Sequence, residues 1–393
     1  MPSSAIPARL FTATVCGLLL QSTSACEVNS PISLPQAISK LRHAATVYDE
    51  PAMKAAVERL VRLGPAALPQ VRQLIRHENA NVRWKAIQTL GFIGLAAPPL
   101  CGELLAASRD PDADVRGAAI DVLAQLFPNR APTHQATARL LTDPHPLVRV
   151  RAAAAQWTTR RDRRAIAALA QALQNPDWMA AEEASRRLAD VGVSATPTLL
   201  QLLQSHVPRT QRSALLTLAR FAELPSAMLA TILPLADSED PMLYPAAMQT
   251  LLACGTAGQL ELVARCRHAA VPHRVAALRV LATAFPSTPT VRRLLLKTLD
   301  DTAAPCQLAA MALIARHRIS AAEFLQPLVR FLHHPTPDHR GAAIAALAAL
   351  AAAARPARPR LLQLAASEPV DYIRRAAQQL VDDLDSNTTG NED

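Results

Sequence analysis

Apolar and polar positions along this chain follow two periods, one helical and one of about 32 residues. In NANVRWKAIQTLGFIG (79–94) and DADVRGAAIDVLAQL (112–126), an acid- or amide-bearing turn leads into an apolar–Arg pair. Counted from that Arg, the anchor, a small residue follows three later and apolar residues follow four and seven later. This spacing paints one stripe down a helix. The anchor recurs at Met53, Arg83, Arg116, Arg149, Ala181, Gln211, Tyr244, Arg274, Gln307, Arg340 and Arg374, at intervals of 30 to 34 residues. The residue three later is Ala in every copy: Ala56, Ala86, Ala119, Ala152, Ala184, Ala214, Ala247, Ala277, Ala310, Ala343 and Ala377. The residue seven later is aliphatic except at Gln156, which makes the Arg149 copy the weakest.

Proline falls two to five residues before nearly every anchor, often after Asp, Asn or Glu, as at 110–111, 143–144, 175–176 and 368–369. These acids read as helix caps and the prolines as helix openings. A second turn is marked by LGPAALPQV (63–71) and VGVSATPTLL (191–200), where Gly ends one helix and Pro opens the next. Each copy is therefore a helix A, a turn and a helix B. A pair this short cannot bury its own apolar face, so neighbouring copies must supply the partner surface. The repeated Ala lets successive B helices approach closely. The run GAAIAALAALAAAA (341–354) reads as one such buried B helix, too short for a membrane span.

The segments DPDADVRGAAIDVLAQL, DPHPLVRVRAAA, HENANVRWKAIQTLGFIG and LGPAALPQV resemble HEAT repeats, particularly the short bacterial repeats of the phycobilisome-lyase type. The resemblance covers residues 35–384. It implies an all-α fold, an α-solenoid wound as a right-handed superhelix of about eleven helix-turn-helix repeats. It also implies a ladder between adjacent repeats, formed by anchor arginines and turn acids. Arg83, Arg116, Arg149, Arg274, Arg340 and Arg374 are its expected members, with Asp114 and Asp338 as acids. Met53, Ala181, Gln211, Tyr244 and Gln307 should interrupt it.

Composition adds less. Only 3% of residues are aromatic, which disfavours a sheet core. The net charge of +9 is carried by scattered arginines, without the dense run that a nucleic-acid stripe would need. At the amino terminus, Arg9 precedes the apolar run Leu10–Leu20 and the small polar stretch QSTSAC (21–26). These are the parts of a secretory signal over 1–25. Cys26 then either carries a lipid, as in a bacterial lipobox, or simply follows cleavage after Ala25. Residues 26–34 read as a linker and 385–393 as a disordered tail. The six cysteines show no CxxC pair and neither a disulfide framework nor a zinc spacing.

Histidines His77, His145, His206, His268, His273, His333, His334 and His339 fall around the A–B turns, where they read as solvated polar residues. HHPTPDH (333–339) has donors enough for a metal but no second ligand pair beside it. His77-Glu78 resembles the His-Glu pairs of deoxyhypusine hydroxylase, yet stands alone. Trp84 resembles a groove residue of HEAT-like DNA glycosylases without the accompanying constellation. No catalytic, cofactor-binding or metal-binding residues are assigned. The expected working surface is the B-helix face, at positions one and five after the anchor: Trp84, Gln88, Asp121, Glu182, Arg186, Arg212, Gln249, Arg279, Arg375 and Gln379. The expected function is a non-catalytic scaffold, exported to the periplasm or lipid-anchored, that grips a peptide or protein. The alternatives are a cytoplasmic nucleic-acid-binding array, or an enzyme of the lyase or hydroxylase kind.

Overall fold

The structure, a computed structural model, describes residues 33–268 and 270–389, so the expected signal, most of the linker and Cys26 lie outside the described residues. Odd-numbered helices are the A members of each repeat. They are α1 (Leu34–Val47), α3 (Leu68–Leu74), α5 (Pro98–Ala107), α7 (Ala131–Leu140), α9 (Arg163–Ala172), α11 (Thr196–Leu203), α13 (Leu229–Ala236), α15 (Gly255–Arg265), α17 (Pro289–Leu299), α19 (Leu325–Phe331) and α21 (Arg358–Ser367). Even-numbered helices are the B members. They are α2 (Glu50–Leu63), α4 (Ala80–Ile93), α6 (Ala113–Leu126), α8 (Pro146–Arg160), α10 (Trp178–Val191), α12 (Pro208–Leu218), α14 (Tyr244–Ala253), α16 (Val271–Ala284), α18 (Ala304–Arg316), α20 (Pro337–Ala349) and α22 (Asp371–Thr389). No strand occurs among the described residues.

The chain forms two compact units that divide between Leu199 and Leu200, inside α11. Within each unit the B helices pack side by side in sequence order, as α4 on α6 on α8 and as α16 on α18 on α20. The alanines three after each anchor sit in these seams. Ten of them are wholly inaccessible and Ala56 nearly so. The aliphatic residue seven after the anchor is buried in every repeat but the fourth, where half-buried Gln156 donates to Asp162 instead.

Helix boundaries follow local chemistry. Asn79, Asp112, Asp162 and Asp177 cap α4, α6, α9 and α10 by accepting backbone N–H groups of the first turn. Gly64 and Gly192 adopt positive φ where α2 and α10 pass into 3-10 turns. The Ala-rich run is helical only to Ala349. A 3-10 segment, Ala351–Ala357, continues it after a left-handed Ala351. Between α14 and α15 the connection is a single residue, Cys254, followed by Gly255 at positive φ. A Cβ on Gly258 would land on the carbonyl oxygen of Leu251. At the carboxyl end α22 extends to Thr389, into the segment expected as a tail, of which 390–393 lie outside the described residues. There Asp385 receives both Nε and Nη2 of Arg358, each at 2.8 Å.

Candidate partner-binding surface

Four anchors reach the next repeat. Nε and Nη2 of Arg83 donate to the two oxygens of Asp110 at 2.9 and 2.7 Å. Arg116 grips Asp143 in the same way at 2.8 and 2.8 Å, Arg274 grips Asp301 at 3.0 and 2.9 Å, and Arg340 grips Glu368 at 2.8 and 2.6 Å. The third nitrogen of each guanidinium, Nη1, donates back to carbonyls of its own turn, such as Asp110 and Pro111 for Arg116. The acids do a second job: Asp110, Asp143, Asp301 and Glu368 each accept the backbone N–H two residues on. Burial pushes the Asp143 carboxyl upward, but Arg116 and the His145 N–H overcome it and hold the group below the usual carboxylate range. Asp301 is depressed against burial by the Ala303 N–H and Arg274, and Glu368 is depressed chiefly by its hydrogen bonds from Arg340.

These acids stand six residues before an anchor. The same slot in other repeats holds Asn175, Ser205, Ser238, His77, His268 and His334, and each accepts the N–H two residues on, the histidines through Nδ1. Three turn histidines are thus backbone acceptors occupying the place of a ladder acid. His273 and His339 lie inside the first turns of α16 and α20 and are buried. Each meets a non-arginine anchor of the preceding repeat. The His273 ring stacks on Tyr244 with centroids 4.4 Å apart, and Nε2 of His339 lies 3.0 Å from Oε1 of Gln307.

The B-helix side of the first unit carries a charged network. Nη2 of Arg187 on α10 lies 3.0 Å from both oxygens of Asp121 on α6, and its Nε is 2.7 Å from Glu183. The contact spans 66 residues and passes over α8, whose Ala154 and Ala155 hold the matching positions, five and six after the anchor. Arg151 of α8 lies against Gly117, with Nε 3.8 Å from Asp121. Burial disfavours the charge on Arg187, yet Asp121 and Glu183 raise its pKa above the ordinary arginine value. Glu183 is lowered although burial opposes it, through Arg187 and Arg186.

A family model for HEAT repeats matches residues 38–124 and 134–219. The chain is a HEAT-repeat protein. No curated protein matches it. Among solved structures it is similar to an engineered protein at 19% identity and TM-score 0.34, over 80% of this chain and 98% of the other. It is similar to Kap121p bound to Pho4p at 14% identity and TM-score 0.48, over 94% of this chain and 47% of the other. A structure concerning Kap95p binding and the switch loops of RanGDP matches at 13% identity and TM-score 0.48, over 89% of this chain and 55% of the other. The chain therefore spans about half the length of those two proteins.

Within the HEAT framework the ladder differs from the sequence expectation in four respects. Its acids are not Asp114 and Asp338, which sit in the first turns of α6 and α20, but the residues before the turn prolines and their equivalents. Arg149 donates to carbonyls of its own turn, Asp143 and Pro144, because the slot ahead holds Asn175. Arg374, in the last repeat, turns to the Glu368 carbonyl and Asp371. The ladder is also not simply broken at Tyr244 and Gln307, where histidines of the next repeat take over. The constant spacing from anchor to acid, 27 or 28 residues, was the signal in the sequence.

The expected surface residues separate by exposure. In the first unit Trp84, Gln88, Asp121 and Glu182 are half-buried, and Arg186 is exposed and pairs with Glu183. Trp84 packs on the core with Nζ of Lys85 4.1 Å from its ring centroid. In the second unit Arg212, Gln249, Arg279, Arg375 and Gln379 are all exposed. The sequence reading missed the network of Arg151, Glu183 and Arg187 because these residues sit two and six after the anchor, one step around the helix. It also missed Trp178, 73% exposed at the start of α10 beside exposed Met179. Among the described residues no three His, Cys, Asp or Glu side chains are grouped to hold a metal, and no helix is long and apolar enough to cross a membrane.

Proposed function

We propose that this HEAT-repeat chain is a non-catalytic scaffold that grips a peptide or protein partner on its B-helix face after export, with Cys26 as a lipid anchor. The observation that supports the choice of face is the Asp121–Arg187 contact. Packed helices lie about 8–10 Å apart, so a flat row would hold α6 and α10 at roughly twice that distance. A direct ion pair over α8 requires the B side of the first unit to curve inward there. An inward-curving surface lined by mixed charges and amides suits main-chain and side-chain recognition of a polypeptide. The export reading rests on the Arg9, Leu10–Leu20 and QSTSAC sequence alone.

Photo-crosslinkers placed at Gln88 and Arg186 in the full chain, expressed in its own cells, should capture one defined polypeptide. Crosslinkers on the A helices, at Gln171 or Arg293, should not. Equal capture from both faces would remove the B-face assignment. Fractionation tests the anchor separately: the wild-type chain should be shortened and membrane-associated, and Cys26→Ser should release it. A full-length product in the cytoplasm would defeat the export reading.

A further inference from the structure

The joint between the ninth and tenth repeats is built unlike its neighbours. Position 334 follows anchor 307 by 27 residues, as Asp301 follows Arg274 and Asp143 follows Arg116. Here the pair is Gln307 and His334, and the buried His339 completes it. Nε2 of Gln307 donates to the Asp301 carbonyl at 2.8 Å, which turns Oε1 toward His339. An amide oxygen accepts, so Nε2 of His339 carries the hydrogen. Its Nδ1 is then an acceptor, 2.6 Å from Oγ of Thr336. His334 stacks on His339 with centroids 4.0 Å apart, and its own Nδ1 accepts the Thr336 N–H at 3.2 Å. The same Thr336 hydroxyl lies 2.9 Å from Nδ1 of His334, so it stands between the two rings.

We propose that this joint is proton-operated: it is closed while the buried His339 is neutral and opens in mild acid, when the flanking Arg274–Asp301 and Arg340–Glu368 rungs still hold. A proton on His339 puts a cation in a site only 3% exposed, against a second imidazole. The charged and titratable groups around it offer little compensation. Asp338 precedes it on α20, and Arg340 follows it but is committed to Glu368. From α18 neutral Gln307 meets it, and from α19 the Phe331 ring, centroids 5.8 Å apart. On α19 Arg330 is paired with Asp300. Burial and His334 together push the His339 imidazole below its usual range against the opposing pull of Asp338, as a joint requiring the neutral ring demands.

A similar pair of stacked histidines occurs once more among the described residues. Between the seventh and eighth repeats, His268 accepts the Ala270 N–H through Nδ1, stacks on His273 with centroids 4.6 Å apart, and His273 stacks on anchor Tyr244. Both copies lie in the second unit.

Amide hydrogen exchange of the full chain at pH 7.5 and pH 5.5, corrected for intrinsic rates, tests the proposal. Opening of the first turns of α18 and α20 should rise up to about tenfold per pH unit for each proton taken up. The triple variant Q307R/H334D/H339V rebuilds the Arg116–Asp143 rung, with Val in the place of Val148. It should abolish that rise. An unchanged pH response in the variant, or no rise in the wild type, overturns the proposal. Nitrogen NMR of the wild-type histidines needs no variant. His339 should be the Nε2–H tautomer at neutral pH, and its protonation should coincide with lost protection in α18 and α20. Protonation without that loss also overturns it. Crosslinking at the B face reads partner binding independently, so either result leaves the scaffold reading to its own test.

Discussion

Arg116 and Asp143 share two hydrogen bonds in a place where their side chains are 13% and 5% exposed. Arg116→Ala leaves an almost buried carboxylate unpaired, and should cost about 3 kcal/mol in a chemical denaturation series. Asp114→Ala, which removes the acid suggested by local sequence, should cost under about 1 kcal/mol, the scale of a first-turn helix-dipole interaction. A reversed order of these two effects would refute the assignment of the rung. The contrast shows where the sequence was readable. An acid before a proline is a plausible cap, and its true partner lies 27 residues back, beyond the reach of helical periodicity. The eleven alanines were legible because burial at a fixed helical position is a local constraint repeated in register. Residue-scale chemistry also exposes one defect: Nδ1 of His273 is buried without a partner, and the residue matching Thr336 is Ala270. Ala270 already has the extended conformation of Thr336. Ala270→Thr should supply the missing hydroxyl and stabilise the second unit by about 0.5–1.5 kcal/mol, measured as a higher denaturation midpoint.

At the scale of elements, the seam between B helices sets the limits. Ala119 is wholly enclosed where α6 meets its neighbours, so Ala119→Leu should overpack the seam and cost about 1–3 kcal/mol, checked by thermal melting. The rungs across the turns set the pH behaviour. Asp143, Asp301 and Glu368 titrate lower when folded than when unfolded. The unfolded chain therefore binds more protons over that interval, and the stability these acids contribute is present above the unfolded carboxylate values, about 4, and lost as pH falls through the folded ones. His339 follows the same sign from a higher start. Its stabilisation is present above the unfolded imidazole value, about 6.5, and declines below it. Glu368→Gln should therefore flatten the strongly acid limb of unfolding and leave the limb near pH 6 in place. His339→Val should do the converse.

For the whole molecule, repeat number, order and helix alternation followed from pattern, because each repeat must borrow its neighbour's apolar face. The side chains that bridge repeats on the B face did not. They combine residues two and six after the anchor with partners one or two repeats away, as Arg187 does with Asp121. The tie from Arg358 on α21 to Asp385 on α22 is another long-range link, joining residues 27 apart in sequence.

The one-residue link at Cys254 carries its own evolutionary consequence. Two helices that meet so abruptly leave no volume for even a methyl group at position 258, so the short link and the glycine must be inherited together. Lengthening the link by a few residues should relax that demand. Gly258→Ala, damaging in the present chain, should then become tolerable, and glycine at 258 should track the length of this connection in any lineage that shares it.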